Sequence, residues 1–371
     1  MEKELLYRMA LTRLLPLASD KQNILIKELG SATEVYEQRH HLRDILAPSA
    51  WRVADCLCDF DRVLPRCEQE YDYAQAHHIH ILTLGDADYP MRLAQVDDAP
   101  LVLYALGNAN LNSQHVVSVV GTRRCTTYGR DLCQRLVADL QHLLPKALVV
   151  SGLAYGIDIA AHKACLDSGL PTAAVLAHGL DQIYPRMHRQ TAVAMLKRGG
   201  LVTEYMSMTQ PDKVNFVQRN RIVAALSDAV VVVESAARGG SLITASLAFG
   251  YSREVCAFPG RISDAASAGC NSLIACNKAQ LITSAEDLLQ AMHWEAEASA
   301  GAVTQMEMFP QLEADESAVV AAMRQLGEEI AMPQLAEMLQ WPVSRVLSAT
   351  FTLEMKNMIV TVPGSRYRLK G

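Results

Sequence analysis

The 371-residue chain has no basic surplus: 34 Lys and Arg stand against 40 Asp and Glu, giving a net charge of −6. That balance excludes a protein that coats nucleic acid through bulk charge, so any anion binding has to come from local clusters. Nine cysteines, an odd count, follow no regular spacing, and Cys56 and Cys58 stand too close together for a zinc clip. The pattern implies a reducing compartment, cysteines that fill apolar core positions, and no metal site. Long apolar runs are also missing. Arg8 and Arg13 interrupt the N-terminal leucines, so neither a signal h-region nor a membrane span forms, and a soluble, cytoplasmic protein without membrane contact is expected. Neither Gly-x-Gly-x-x-Gly nor Gly-x-x-x-x-Gly-Lys-Ser/Thr occurs, which removes NAD and ATP as expected ligands and leaves no cofactor to name.

What is present centres on the tract from Asn215 to Gly260. An Arg-Asn-Arg helix start leads to the continuous apolar run Ala229 to Val233, the pattern of a strand buried on both faces. Glu234 stands at its carboxyl end, followed by Arg238-Gly239-Gly240-Ser241, where a glycine pair opens a helix. Free N–H groups at such a start, at Ser241 or Thr244, can hold an anion; a tight turn with a helix cap needs the same residues.

Length predicts two or three domains. Residues 1–75 show three-four spacing of leucines and other apolar residues and are read as a small helical domain, SAM- or helix-hairpin-helix-like; because a Gly-x-Gly hairpin is missing, a packing role is favoured over a DNA module. From residue 80 to 293 strands and helices alternate: strands at Val116 to Val120, Leu148 to Ser151, Thr172 to Ala177 and Leu201 to Thr203, with helices at Tyr128 to Leu144, Ile157 to Asp167 and Met187 to Lys197. This order predicts an α/β fold, a doubly wound Rossmann-like parallel sheet. Residues 294–311 read as a linker. Residues 312–371 read as three helices and a hairpin around Pro363-Gly364, the order of a winged helix. From Glu313 to Gly371 six basic residues face seven acidic ones, so a protein-contact role is as well supported there as DNA reading.

Ligands of such sheets bind outside the carboxyl ends of the strands. Those ends carry Gly121-Thr122-Arg123-Arg124, then Ser151-Gly152 through Asp158, then His178 to Arg189 including Tyr184 and Arg186, then Glu204 with Lys213, Phe216, Arg219 and Arg221. An acidic protein thus gathers cations and glycine turns on one edge, and Tyr155, Tyr184 and Phe216 supply stacking faces. A scattered cationic row with aromatics suits a single-stranded nucleic acid. Each residue also has a structural reading. Asp158 with His162 resembles an acid-base pair, but a helix-start Asp holding a nearby amide explains it too. His178 and His188 fit as solvated or core histidines. One of Arg219 and Arg221 is expected to neutralise Glu204 or Glu234.

These motifs resemble the DprA (Smf) family of bacterial DNA-processing proteins. The resemblance rests on Tyr89-Pro90 through Gly107, Val120-Gly121-Thr122-Arg123, Ser151-Gly-Leu-Ala-x-Gly-Ile-Asp-x-x-Ala-His162, Gly179-Leu180-Asp181 with Tyr184-Pro185, Arg219-Asn220-Arg221, Gly240-Ser241-Leu242-Ile243-Thr244-Ala245 and Pro259-Gly260. It implies a non-catalytic binder of single-stranded DNA that protects incoming strands and loads the RecA recombinase in natural transformation. By motif position it implies DNA contacts at Arg123, Arg186, Lys213 and Arg238, with Gly121, Thr122, Gly152, Gly240 and Ser241 as backbone contributors. It also implies a homodimer through Asn271, Ile274 and Leu281. Departures are Gly239-Gly240 for a Ser-Gly pair, Thr203 where Ser is usual, and Asn277-Lys278-Ala279 for Gly-Ala. The sheet is similar as well to that of the nucleoside-monophosphate phosphoribohydrolases. Their Pro-Gly-Gly-x-Gly-Thr loop is replaced here by Gly239-Gly240-Ser241-Leu242-Ile243-Thr244, and no Glu lies between that stretch and Arg253. A transcription regulator acting through the last domain is disfavoured by its charge.

Overall fold

A computed structural model describes residues 3–16, 18–297, 313–326, 330–356, 358–362 and 366–369. The chain divides into two compact units, Met1–Ala298 and Ser299–Gly371.

Among the described residues the first unit holds a nine-stranded sheet: β1 (His80–Thr83), β2 (Val102–Gly107), β3 (Val116–Val120), β4 (Leu148–Ser151), β5 (Thr172–Val175), β6 (Gly200–Thr203), β7 (Ala229–Val232), β8 (Glu254–Ala257) and β9 (Gln280–Leu281). The spatial order is β1-β2-β6-β5-β4-β3-β7-β8-β9. Pairing is parallel from β6 through to β9, and β2 adds an antiparallel edge with β1 outside it. Every residue of β3 through β7 is buried, because helices cover both faces. The side chains alternate accordingly: Val116, Val120, Val150, Val230 and Val232 enter one apolar layer, and Val117, Val119, Val149 and Val231 enter the other.

The helical front, Lys3–Leu14 to Phe60–Ala76, shares an apolar cluster with Leu101, Val102 and Tyr104 of the sheet's antiparallel side. A polar strap fixes it further. Buried Glu70 accepts from the Ser207 backbone N–H at 2.8 Å and the Ser207 hydroxyl at 2.5 Å, while Arg66 donates to the Ser207 carbonyl at 2.7 Å.

Within the second unit, helices Ala314–Leu326, Met332–Leu339 and Val343–Met355 pack with strands β10 (Ile330–Ala331), β11 (Ile359–Val362) and β12 (Arg366–Leu369), ordered β10-β12-β11. The expected Pro363-Gly364 turn and most of the expected linker lie outside the described residues. Of the seven cysteines besides Cys56 and Cys58, all expected to fill the core, Cys67, Cys133, Cys165, Cys256 and Cys270 are buried and Cys125 is half-buried; Cys276 departs from the expectation, exposed just past the end of helix Ala268–Ala275.

Candidate nucleic-acid interface

The chain leaves β3, builds β4, β5 and β6 outward on one side, and returns to place β7 on the other side of β3. At that reversal the connections after β3 and β7 part to opposite faces and leave a crevice at the carboxyl ends. The crevice is a cleft of about 410 Å³. Gly121, Thr122, Arg123, Gly152, Arg238, Gly240 and Ser241 line it, joined by Phe216, Arg219 and Asn220. Seven of the nine residues expected to contact DNA therefore meet in one place. Arg186 and Lys213 are exposed but lie outside the lining, Arg186 on the short 3-10 helix Arg186–His188 and Lys213 at the start of helix Lys213–Ala225.

The aromatic ring of Phe216 connects these groups. The Arg123 guanidinium lies 5.3 Å from its centroid and that of Arg219 lies 5.9 Å away, within cation–π range. Tyr184 is also tilted against it at 5.7 Å and remains exposed. Tyr184 is itself set by buried His178, whose Nδ1 donates to the Gly179 carbonyl and whose Nε2 accepts from the Tyr184 backbone N–H at 3.2 Å. Burial pushes the His178 pKa down.

Arg219 and Arg221 separate in role. Arg221 pairs with half-buried Glu204 and donates to the Ser19 hydroxyl at 3.1 Å and the Asp98 carbonyl at 2.7 Å. Among the described residues no arginine pairs with Glu234; its oxygens accept from the Thr126 backbone N–H at 2.8 Å and the Thr126 hydroxyl at 2.7 Å. Thr126 in turn caps helix Thr127–Leu143 by accepting from the Gly129 N–H at 3.2 Å. Arg219 is buried and donates to the Gly152 carbonyl at 2.6 Å and to the Val175 carbonyl. Gly152 is required there, since a Cβ would stand 2.5 Å from the Arg219 Nη2.

Asp158 is buried and accepts from the Ala154 N–H at 3.3 Å, the helix-start role. Burial raises its pKa and the field of Arg219 opposes that. His162 does not pair with it; its Nδ1 meets the Thr172 hydroxyl at 2.7 Å. The Ser241 hydroxyl is turned to Ser235 at 2.9 Å, so any part it plays at the cleft falls to its backbone. Asp158, Glu204 and Glu234 are thus engaged internally, whereas Arg123, Arg124, Arg186, Lys213 and Arg238 are exposed. Sequence reasoning left out Asn220 as a lining residue. Its spacing of four from Phe216 on one helix was the available signal.

A doubly wound α/β sheet whose switch-point cleft is lined by arginines, glycine turns and an aromatic ring places the protein in the open-sheet α/β class. The comparisons narrow this. The family described as DNA recombination-mediator protein A matches residues 80–293, and the chain belongs to that family. The protein Smf of Escherichia coli K12 is 34% identical over 312 residues, 80% of this chain and 79% of that protein. The DNA processing protein DprA of Streptococcus pneumoniae R6 is 40% identical over 204 residues, 55% of this chain and 71% of that one. Among solved structures, DprA from Streptococcus pneumoniae superposes with a TM-score of 0.63 at 31% identity, covering 80% of this chain and 99% of its own. The DprA of Helicobacter pylori, solved for its single-stranded DNA binding mode, gives 0.52 at 30% identity, covering 58% and 97%. Among the described residues no helix is long and apolar enough to cross a membrane.

Proposed function

We propose that this protein binds single-stranded DNA along the carboxyl edge of its parallel sheet, protects incoming strands and delivers them to the RecA recombinase in natural transformation, without catalysing a reaction on them. The observation that carries the reading is the Arg123–Phe216–Tyr184 arrangement: an exposed cation and an exposed ring, both against Phe216. Such a group takes phosphate and base together, which single strands offer and duplexes do not. The relative from Helicobacter pylori, described by its single-stranded DNA binding mode, supports it.

In this reading Arg123, Arg186, Lys213 and Arg238 contact phosphates, and the turns at Gly121, Thr122, Gly152, Gly240 and Ser241 contribute backbone. The protein acts as a homodimer through Asn271, Ile274 and Leu281. Residues 312–371, read as a winged helix, are accessory to strand binding. A titration of single-stranded against duplex DNA of equal length tests the reading, with the full chain and with a chain ending at Gln311. Both should prefer the single strand. Equal affinity for both forms, or loss of binding in a folded shorter chain, contradicts it.

A further inference from the structure

The turn between β4 and helix Ile157–Ser168 holds an unusual backbone. Leu153, fully buried, has a left-handed conformation with φ of 56°, a state that costs a branched residue energy unless its surroundings enforce it. Its carbonyl accepts a hydrogen bond from Nδ1 of His188 at 2.8 Å. His188 is itself buried, and the exposed Tyr155 of the same turn rests edge-on against its ring at 5.2 Å.

Both ends of this contact lead to a cation of the interface. Two residues before His188, on the same short helix, stands exposed Arg186. At the far end of the turn the Ile157 N–H donates to the Thr122 carbonyl at 3.2 Å. Gly156, with φ of 81°, lies so close to Thr122 and Arg123 that a Cβ there would overlap the Thr122 carbonyl and stand 2.8 Å from the Arg123 Cα. The backbone carrying Arg123 and the backbone carrying Arg186 are therefore joined through one turn, and His188 is the side chain that closes the join.

We propose that His188 is a positioning residue for strand binding: by holding the Leu153 carbonyl it fixes the separation of Arg123 and Arg186, so that both meet phosphates of one strand. It touches no DNA itself. The inference rests on the single-strand reading above. Holding two contacts at a set spacing spares the ordering cost of bringing them together on binding. Asparagine can replace the imidazole in this role, because its side-chain amide offers a donor at nearly the position of Nδ1; leucine fills the space without a donor.

The test is fluorescence titration of the full chain with a labelled oligothymidylate over a series of salt concentrations, for wild type, His188→Leu, His188→Asn, Arg186→Ala and the His188→Leu/Arg186→Ala pair. Circular dichroism on each variant establishes that it is folded. His188→Leu should weaken binding about tenfold, with a salt slope smaller by about 0.7, the loss of one phosphate contact. His188→Asn should restore both. Adding Arg186→Ala to His188→Leu should cost less than Arg186→Ala alone, because the contact is already lost. A folded His188→Leu protein with wild-type affinity and slope, or strictly additive losses, overturns the proposal. Should His188→Leu not fold, failure of His188→Asn to bind as wild type does while folded overturns it equally. If wild type binds no single strand, the functional reading fails and takes this inference with it. If wild type and Arg186→Ala behave as stated and only the His188 variants do not, the positioning role alone falls.

Discussion

Arg219 donates to the carbonyl of Gly152 at 2.6 Å, so a cation that sequence places in the basic row is turned into the sheet and closes the floor of the cleft. Its burial lowers its own pKa, and the buried carboxylate of Asp158 acts against that. The guanidinium satisfies two carbonyls at adjacent strand ends, which a lysine ammonium cannot do with the same planar geometry.

Replacing Arg219 should therefore damage stability before it damages binding. Arg219→Met leaves Asp158 without its compensating charge and two carbonyls without donors, a loss of about 3–5 kcal/mol. Urea unfolding followed by circular dichroism measures it. An unfolding midpoint equal to that of wild type would mean that Arg219 is a ligand contact after all.

Glu234 provides a test of chemistry. Both of its oxygens are taken by Thr126, and it stands before, not after, the glycine pair. Nucleoside monophosphates incubated with the protein should release no free base above a protein-free control. Steady release that disappears in Glu234→Gln would restore the phosphoribohydrolase reading. Thr126→Ala should lower stability by about 1 kcal/mol through loss of the helix cap.

Acid sensitivity should trace in part to His162. Burial, followed by the fields of His188 and Arg219, pushes its pKa to about 3, against about 6.5 in an unfolded chain. As pH falls below about 6.5 the unfolded chain takes up the proton and the folded one does not. Stability is thus complete above that pH and is lost progressively toward pH 3. Asp158 and Glu204, both raised by burial, work in the opposite direction, so the comparison of wild type with His162→Gln isolates the histidine. Melting temperatures from pH 7 to pH 4 should fall less steeply in His162→Gln. Parallel curves would show that His162 is not the group responsible.

The three residues expected at a dimer contact differ in what they offer. Leu281 is exposed on β9, at the sheet's edge. Ile274 packs partly against its own core, and Asn271 exchanges hydrogen bonds with Gly260 at 3.0 and 3.1 Å. The proposed dimer predicts a folded monomer for Leu281→Glu and a dimer for wild type by light scattering. Ile274→Glu should cost stability as well. A monomeric wild type at micromolar concentration rejects the dimer.

Much of the fold was legible because strands buried on both faces must be continuously apolar. Strands Val116–Val120 and Leu148–Ser151 fall where those runs place them. The two-residue strands Gln280–Leu281 and Ile330–Ala331 have no run to betray them and were not foreseen. The site was legible as a set of strand ends, since the carboxyl edge follows from strand order alone. What each buried arginine holds was not: Arg219 and Arg221 lie on one helix with similar neighbours in sequence, and both turn inward. Their fates depend on Gly152 and Ser19, partners 67 and 202 residues away. The burial of His178 and His188 likewise depends on backbone carbonyls that sequence does not display.

The most direct measurement of the central claim is the salt dependence of single-strand binding by wild type, Arg123→Ala, Arg186→Ala and the double variant, each checked for an unchanged melting temperature. Exposed arginines contribute to binding through counterion release. Each single change should weaken affinity and reduce the slope of log K against log salt by about 0.7, and the pair by about 1.4. Wild-type affinity and slope in all three folded variants would contradict the assignment of this edge as the strand-binding surface.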